Sequence, residues 1–446
     1  MVKTAVSRRG FLAASAGAAM LASAGGAIAT GGPLASGQAF AAGGSWGSAD
    51  VEEERITTLC AGCGNFCGMA VYVQNGTIVR AQGLKEHPHT GGYLCGRGQG
   101  YVKVPYAENR VRTPLKADGS GGFQEVSWDE ALSDIAQHMQ EAGPQSTGWF
   151  QDGRGTDSYY TKRLMSAFGS ANYYDESALA DIDISTVIPT VMGAYPAPSA
   201  GKSKCIVLLD KSSYEGVRPH EIEEIIKARE NGGTVYVVDP RLCSFGALAS
   251  EWVPIKPGTE LAFLLGVSCF LVENGLHDQA FVEANGNGFD DYARAIAQYT
   301  PAWASEKTGI AAEKIEEIAR ALAEAAPHCY VDLQWAGTLG SGYANSAEQI
   351  RALLLLNALL GNFNQEGGLI FPTSPWLGDD ALDQTMFIPT GQPSAPAAGE
   401  GDFALSRSTS CQAGLRAGLQ AAVFCECDPV SDWPDAAGTA EAFDAI

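Results

Sequence analysis

Four of the eleven cysteines in this 446-residue chain are spaced for shared chemistry. Cys60, Cys63, Cys67 and Cys95 read C-x2-C-x3-C-x27-C. The first three fall in one short loop threaded by Gly62, Gly64 and Gly68, residues whose backbones can turn tightly enough to aim three sulfurs at one point. Four thiolates at one point suit a [4Fe-4S] cluster or a structural zinc, and two disulfides are a third arrangement. The uneven spacing favours iron–sulfur, because zinc ribbons and fingers more often use two matched knuckles.

The other cysteines carry a different signal. Cys205, Cys269, Cys329 and Cys425 sit in the apolar runs C-I-V-L-L, V-S-C-F-L-V, H-C-Y-V-D-L and A-V-F-C. There a cysteine acts as a small buried hydrophobe. Cys425-x-Cys427 could bind a metal, but its apolar context reads as the end of a strand. His87 and His89, in E-H-P-H-T, are two further side chains of ligating type.

Further chemistry-bearing residues gather where predicted strands end. Lys211-Ser212-Ser213-Tyr214-Glu215 follows a strand over 205–210. Asp239-Pro240-Arg241 closes a strand over 234–239, and Pro257-Gly258-Thr259-Glu260 opens the next helix. In an open α/β sheet, ligands bind outside the carboxyl ends of the strands. That rule makes Ser213, Glu215, Asp239, Arg241, Gly258, Thr259 and Glu260 candidate cofactor-binding residues.

The elements that must position these groups follow from pattern. Residues 69–73 and 77–80 flank Gln74-Asn75-Gly76, a hairpin signal with Asn-Gly in the turn. Ser127, three residues before Glu130, opens a helix with a capping box. Beyond it, buried strands over 205–210, 234–239, 329–333 and 421–425 alternate with helices over 219–230, 260–274, 311–326 and 347–360. Such alternation predicts an α/β fold: a small N-terminal β-rich metal-binding domain, then doubly wound, Rossmann-like parallel sheets. The expected boundaries are 55–112 for the first and 113–446 for the second.

Composition narrows the class. Hydrophobic residues make up 46% of the chain, enough for a large core. The net charge of −22 argues against nucleic-acid binding, which needs a basic face. Ser7-Arg8-Arg9-Gly10-Phe11-Leu12 is a twin-arginine export signal, followed by an Ala/Gly-rich stretch and a small-x-small site at Ala39-Phe40-Ala41. Residues 1–41 are therefore expected to be a signal peptide and 42–54 a linker, with the protein placed in the periplasm or on the outer face of the cytoplasmic membrane. The apolar run 261–272 is too short to span a bilayer.

E-H-P-H-T-G-G-Y-L-C-G-R-G resembles the cluster loop of the molybdenum- or tungsten-bis(pyranopterin guanine dinucleotide) oxidoreductases, the dimethyl sulfoxide reductase superfamily. V-V-D-P-R followed by I-K-P-G-T-E-L-A resembles that family's guanine-nucleotide segment, with Glu260 where the family usually has Asp. S-W-D-E-A-L, G-W-F-Q-D-G-R-G, Q-W-A-G and the stretch 345–368 follow the family's order, so the resemblance covers about 55–435. It implies a [4Fe-4S] cluster on the four cysteines and a molybdenum or tungsten bis-molybdopterin guanine dinucleotide. It places Arg97 between the two, Asp239 and Glu260 at the guanosine of one pterin dinucleotide, and His87 in the family's H-P loop, so that His87 and His89 are expected to be structural and not ligating.

The same resemblance bears on the metal ligand and on the length. Relatives supply a Cys, selenocysteine, Ser or Asp ligand shortly after F-G-S-x-N, here residues 168–172. Asp181 is the candidate, with Asp175, Ser177 and Asp183 as rivals and Ala180 as the reading with no protein ligand. Family catalytic subunits continue into a C-terminal barrel-like domain, so this sequence is expected to be truncated before that dinucleotide-binding domain. The implied function is oxygen-atom or hydroxyl transfer on a small substrate, with electrons passing through the cluster. A ferredoxin-like iron–sulfur subunit and a membrane quinone-reactive subunit are the implied partners. The alternatives are a redox-neutral hydratase or dehydroxylase on the same scaffold, or a non-catalytic iron–sulfur or zinc remnant.

Overall fold

The computed structural model describes residues 52–63, 65–151, 158–175, 187–188, 190–210, 221–332, 345–371, 414–416, 418–433, 435–443 and 446. The twin-arginine segment, Ser213, Glu215, Asp181 with Ala180, Ser177 and Asp183, residues 334–337 and Cys411 lie outside the described residues, as does the side chain of Asp175.

The first described elements form an antiparallel sheet in the order β1 (Glu53–Leu59), β2 (Gly68–Gln74), β3 (Thr77–Gly83). Asn75 and Gly76 both take the left-handed region, at φ 48° and 74°. Two consecutive positive φ values make the mirror-image turn that matches strand twist, which is why Asn-Gly marks this hairpin. A short helix α1 (Gly96–Gly100) and a 3-10 turn (Tyr101–Tyr106) pack back on β3, where the Ile78 N–H donates to the Tyr106 hydroxyl at 2.7 Å. A second hairpin, β4 (Leu115–Ala117) with β5 (Phe123–Glu125), leads to α2 (Trp128–Ala142). The predicted N-cap is formed: the Ser127 hydroxyl accepts from the Glu130 N–H at 3.1 Å.

Two parallel sheets follow. In the first, β6 (Thr147–Gln151) is central, flanked by β7 (Tyr173–Asp175) and β14 (Ala421–Cys425). Helix α3 (Ser158–Phe168) connects β6 to β7. Phe150 stacks on Tyr174 at 4.7 Å and on Phe424 at 5.0 Å, so an aromatic ladder crosses this sheet.

In the larger sheet the order is β11 (Glu251–Val253), β10 (Thr234–Val238), β9 (Cys205–Leu209), β12 (Cys329–Val331), all parallel. Every residue of β9 is buried, as expected for a central parallel strand covered on both faces. Helices α4 (Glu221–Glu230), α5 (Glu260–Glu273), α6 (Gln279–Asn285), α7 (Phe289–Ile296), α8 (Pro301–Thr308), α9 (Ala312–Ala325) and α10 (Ser346–Leu359) are interleaved with these strands or follow them. A two-residue ladder of β8 (Ala197–Pro198) with β13 (Leu369–Ile370), and helices α11 (Pro429–Asp432) and α12 (Ala436–Phe443), complete the described elements.

The predicted architecture is present: a small β-sheet, then parallel sheets of α/β type. Among the described residues, no helix is long and apolar enough to cross a membrane. The run 261–272 is the inside of α5, with Phe263, Leu264, Val267 and Leu271 all within 1% of fully buried.

Candidate metal centre and nucleotide edge

The cysteine loop is built from β1 outward. Cys60 follows the last residue of β1, and its N–H donates to the carbonyl of Cys67 at 2.9 Å. That single bond closes the loop and returns Cys67 beside Cys60 at the start of β2. Cys95 arrives from the other side as the N-cap of α1. Cys60 and Cys67 are buried, Cys63 and Cys95 half-buried, and all four thiols are free, so the disulfide arrangement is not formed.

The glycines serve a purpose that spacing alone does not reveal. Neither Gly62 nor Gly68 needs a left-handed backbone; Phe66 takes that role at φ 44°. They are needed for room. A methyl group on Gly68 would lie 2.4 Å from Cβ of His87, and one on Gly62 would lie 2.4 Å from the Tyr101 ring. Gly64 lies outside the described residues.

A second layer of side chains holds the loop. The Asn65 side chain is 7% exposed, and its Nδ2 lies 3.0 Å from Sγ of Cys67. Oδ1 of Asn65 meets Nε2 of His89 at 3.2 Å. The Thr90 N–H donates to Nδ1 of His87 at 3.2 Å, and the Thr90 hydroxyl accepts from the Gly68 N–H at 3.3 Å. Both histidines thus serve the loop as structural residues. Burial pushes the Cys67 thiol up, the Asn65 amide draws it partly back, and the neighbouring Cys63, Cys60 and Cys95 push it up further. A metal group entering this loop must therefore displace protons.

Among the described residues, no three His, Cys, Asp or Glu groups are grouped as a single-ion site would need. Four free thiols within electrostatic reach of one another, with a side-chain amide aimed at one sulfur, fit an iron–sulfur cluster. Arg97 lies in α1, two residues past Cys95, and is exposed.

The nucleotide candidates lie along the carboxyl edge of the larger sheet. The chain runs outward from β9 to β10 and β11, then crosses to the other side of β9 for β12. The switch point is thus between β9 and β12. Three aspartates extend the ladders one rung past the strands: the Asp210 N–H donates to Val238 at 2.7 Å, Asp239 to Val253 at 3.2 Å and Asp332 to Val207 at 2.9 Å. Asp210 does so with a left-handed φ of 48°. Asp239 is 5% exposed. Its Oδ1 accepts from the Arg241 N–H at 2.7 Å, and its carbonyl accepts from Nε1 of Trp252 at 2.9 Å. D-P-R is therefore a tight side-chain-closed turn that presents Asp239, with Arg241 exposed beside it.

Pro257-Gly258-Thr259 forms the turn into α5. Gly258 takes φ 77°, and the Thr259 hydroxyl donates to the Lys256 carbonyl at 2.6 Å. Glu260 follows in the first turn of α5, fully buried. Burying a carboxylate costs several kcal/mol unless donors meet it, and the amino end of a helix is a favourable place for it. Asp239 follows β10 and Glu260 opens the helix after β11, both on the carboxyl side of the sheet. Two acceptor-only side chains there fit a ligand edge rich in N–H groups, such as guanine.

F-G-S-x-N has a structural role of its own. Gly169 ends α3 at φ 85°, with its N–H and that of Ser170 both donating to the Met165 carbonyl. The Ser170 hydroxyl donates to the Thr147 carbonyl at 2.9 Å, and Nδ2 of Asn172 donates to the Gln145 carbonyl at 2.9 Å. These bonds lock β7 against β6.

Sequence reasoning passes over Asn65, Asp210 and Asp332. An Asp at the end of an apolar strand run is a signal that could have found the last two. Asn65 carries none, because an asparagine between a glycine and an aromatic reads as an ordinary loop residue.

Residues 110–444 match the family model described as molybdopterin oxidoreductase, and residues 53–106 match the molybdopterin oxidoreductase Fe4S4 domain. The chain is 31% identical over 319 residues to the molybdopterin-containing subunit of thiosulfate reductase from Salmonella typhimurium, covering 70% of this chain and 42% of that protein. It is 29% identical over 282 residues to the alpha subunit of F420-dependent formate dehydrogenase 1 from Methanococcus maripaludis, covering 60% and 41%. The solved structure of acetylene hydratase from Pelobacter acetylenicus superposes with a TM-score of 0.62 at 25% identity, covering 71% of this chain and 44% of that one. The chain spans less than half the length of these relatives.

Proposed function

We propose a function from one premise: the chain belongs to the molybdopterin oxidoreductase family and carries that family's Fe4S4 domain. Membership implies a [4Fe-4S] cluster and a molybdenum or tungsten pterin cofactor. The proposed reaction is oxygen-atom or hydroxyl transfer on a small substrate, with electrons passing singly through the cluster. The observation that supports it most is the pairing, in one chain, of a four-thiol loop with a buried acidic sheet edge.

When bound, the pterin metal supplies the two-electron substrate chemistry and the cluster supplies one-electron transfer. The protein's own residues do the rest. Cys60, Cys63, Cys67 and Cys95 would hold the cluster. Arg97, permanently charged and two residues from Cys95, would place a cation beside it. Asp239 and Glu260 would accept the N–H donors of a guanine, with Gly258 and Thr259 shaping the turn that delivers Glu260. Asp181 is the proposed protein ligand to the metal, and Ser213 and Glu215 the further cofactor contacts after β9.

Export by the twin-arginine route is part of this proposal, because it moves proteins already folded around a cofactor. So are an iron–sulfur electron-transfer subunit and a membrane quinone-reactive subunit as partners. A second reading, redox-neutral hydration, draws support from the likeness to acetylene hydratase.

The test is metal analysis and intact mass of protein purified without oxygen from its producing host, then assay with a reduced viologen dye. About four irons and one molybdenum or tungsten per chain support the enzyme. Dye oxidation by a sulfur oxyanion or sulfoxide supports reduction, whereas water addition without dye oxidation supports the second reading. One zinc and no iron would sink both.

A further inference from the structure

We propose that Asn65 and His89 form a hydrogen-bonded pair that sets the reduction potential of the cluster held by Cys60, Cys63, Cys67 and Cys95. Asn65 acts as a positioning residue through the Cys67 sulfur. The inference rests on the iron–sulfur reading of the loop and goes beyond it.

The orientation of Asn65 is decided by chemistry at both of its ends. A metal-bound thiolate accepts hydrogen bonds and donates none. The amide nitrogen, not the oxygen, must therefore face Sγ of Cys67, as it does at 3.0 Å. The oxygen then faces Nε2 of His89 at 3.2 Å, so His89 carries its proton on that nitrogen and donates. The relay runs from the imidazole N–H through the amide to the sulfur. Polarisation along such a chain strengthens each bond in it.

The pair is built in. Asn65 is 7% exposed, so water competes little for its amide. The turn 87–90 grips the Cys67 segment twice: His89 holds Asn65, while Thr90 accepts from the N–H of Gly68, next to Cys67. His87 in turn accepts from the Thr90 N–H. The sulfur and its donor are thus held by one short stretch of chain.

Adding an electron to an iron–sulfur cluster increases the negative charge on its sulfur ligands. A donor already aimed at one sulfur stabilises the reduced form more than the oxidised, and raises the potential. Removing the donor lowers it.

The holoprotein, purified without oxygen, is titrated potentiometrically with paramagnetic resonance of the reduced cluster as readout. Asn65→Leu keeps the shape and removes the donor. It is expected to retain its iron and to lower the reduced-to-oxidised ratio at a fixed potential about tenfold, a shift of about 59 mV to the negative for one electron. His89→Leu shifts it the same way by less. His89→Gln, which keeps an N–H for the Asn65 oxygen, restores most of the wild-type value. A full set of irons with an unchanged potential in Asn65→Leu overturns the inference and leaves the cluster reading intact. Should Asn65→Leu lose its iron, unmodified protein carrying 15N in its asparagine side chains decides. Spin-echo modulation from a 15N coupled to the reduced cluster supports the pair, and its absence overturns it. Unmodified protein without iron overturns the site reading together with this inference.

Discussion

Asn357, inside α10, exchanges two hydrogen bonds with the backbone of Val331 at the end of β12. Its Nδ2 donates to the Val331 carbonyl and its Oδ1 accepts from the Val331 N–H, both at 3.0 Å. Among the described residues β12 is an edge strand of the larger sheet, and the asparagine takes the place of a neighbouring strand there. Asn362 adds a bond from Nδ2 to the Cys329 carbonyl at 2.8 Å and another to Oδ1 of Asn357 at 2.8 Å. Asn357→Leu keeps the volume but orphans a buried N–H and a buried carbonyl. The expected loss is about 2–6 kcal/mol, at roughly 1–3 kcal/mol for each of the two unsatisfied groups. Urea unfolding of wild type and variant checks it, and a change below about 0.5 kcal/mol would mean that water reaches this edge.

The cysteine loop should tolerate no side chain at Gly68. Gly68→Ala places a methyl group against Cβ of His87, and neither partner is the end of a flexible chain. The expected cost is about 1–3 kcal/mol of overpacking. Iron content should fall well below that of wild type, while Gly100→Ala, where the added methyl meets nothing and the backbone has an ordinary φ of −69°, should keep its iron. Iron analysis of the two variants side by side makes the comparison.

At the sheet edge, Glu260→Gln removes a charge without changing shape. A glutamine cannot accept two N–H donors as a carboxylate does. Charged hydrogen bonds contribute about 1.5–3 kcal/mol, so nucleotide affinity should fall about 10–100-fold. Molybdenum or tungsten and released guanine nucleotide should drop together, with iron unchanged. Equal loss of iron would point to misfolding instead of cofactor release.

Alkaline stability should be set by buried thiols and a phenol. Burial pushes Cys205 from 9.0 up to about 12 and Cys269 up to about 11. Burial likewise pushes Tyr236 from 10.0 up to about 12. The folded chain keeps these protons at pH values where the unfolded chain has released them. Their contribution to stability is fully present below about pH 9 and is lost as pH rises from 9 towards 12. Melting temperature measured at pH 7.5, 9 and 10.5, as a series on the order of these values, should be flat over the first step and fall over the second. Neither Cys205 nor Cys269 should react with iodoacetamide at neutral pH in folded protein.

Much of the fold was legible because its causes are local. Asn75-Gly76 requires two left-handed residues and so marks its hairpin. Ser127 caps α2 because a hydroxyl three residues from Glu130 can reach its N–H. Alternating buried strands and helices announced the parallel sheets. The four cysteines were legible because thiol spacing is itself the signal of a shared metal group.

Other features depend on pairs of residues that only folding brings together. β14 pairs with β6 although the chain builds the whole larger sheet between them. Asn65 and His89 lie 24 residues apart, and neither residue type alone predicts their bond. Gly68 looks like a turn residue in sequence, yet it is required because His87 packs against it. By itself the sequence determined the periodicity, the turns, the ligand set and the family, since each is written in neighbouring residues. Tertiary structure alone decided the strand order, the switch point between β9 and β12 and the side chains that steady the sulfurs, because burial and close packing select contacts across the chain that no local pattern encodes.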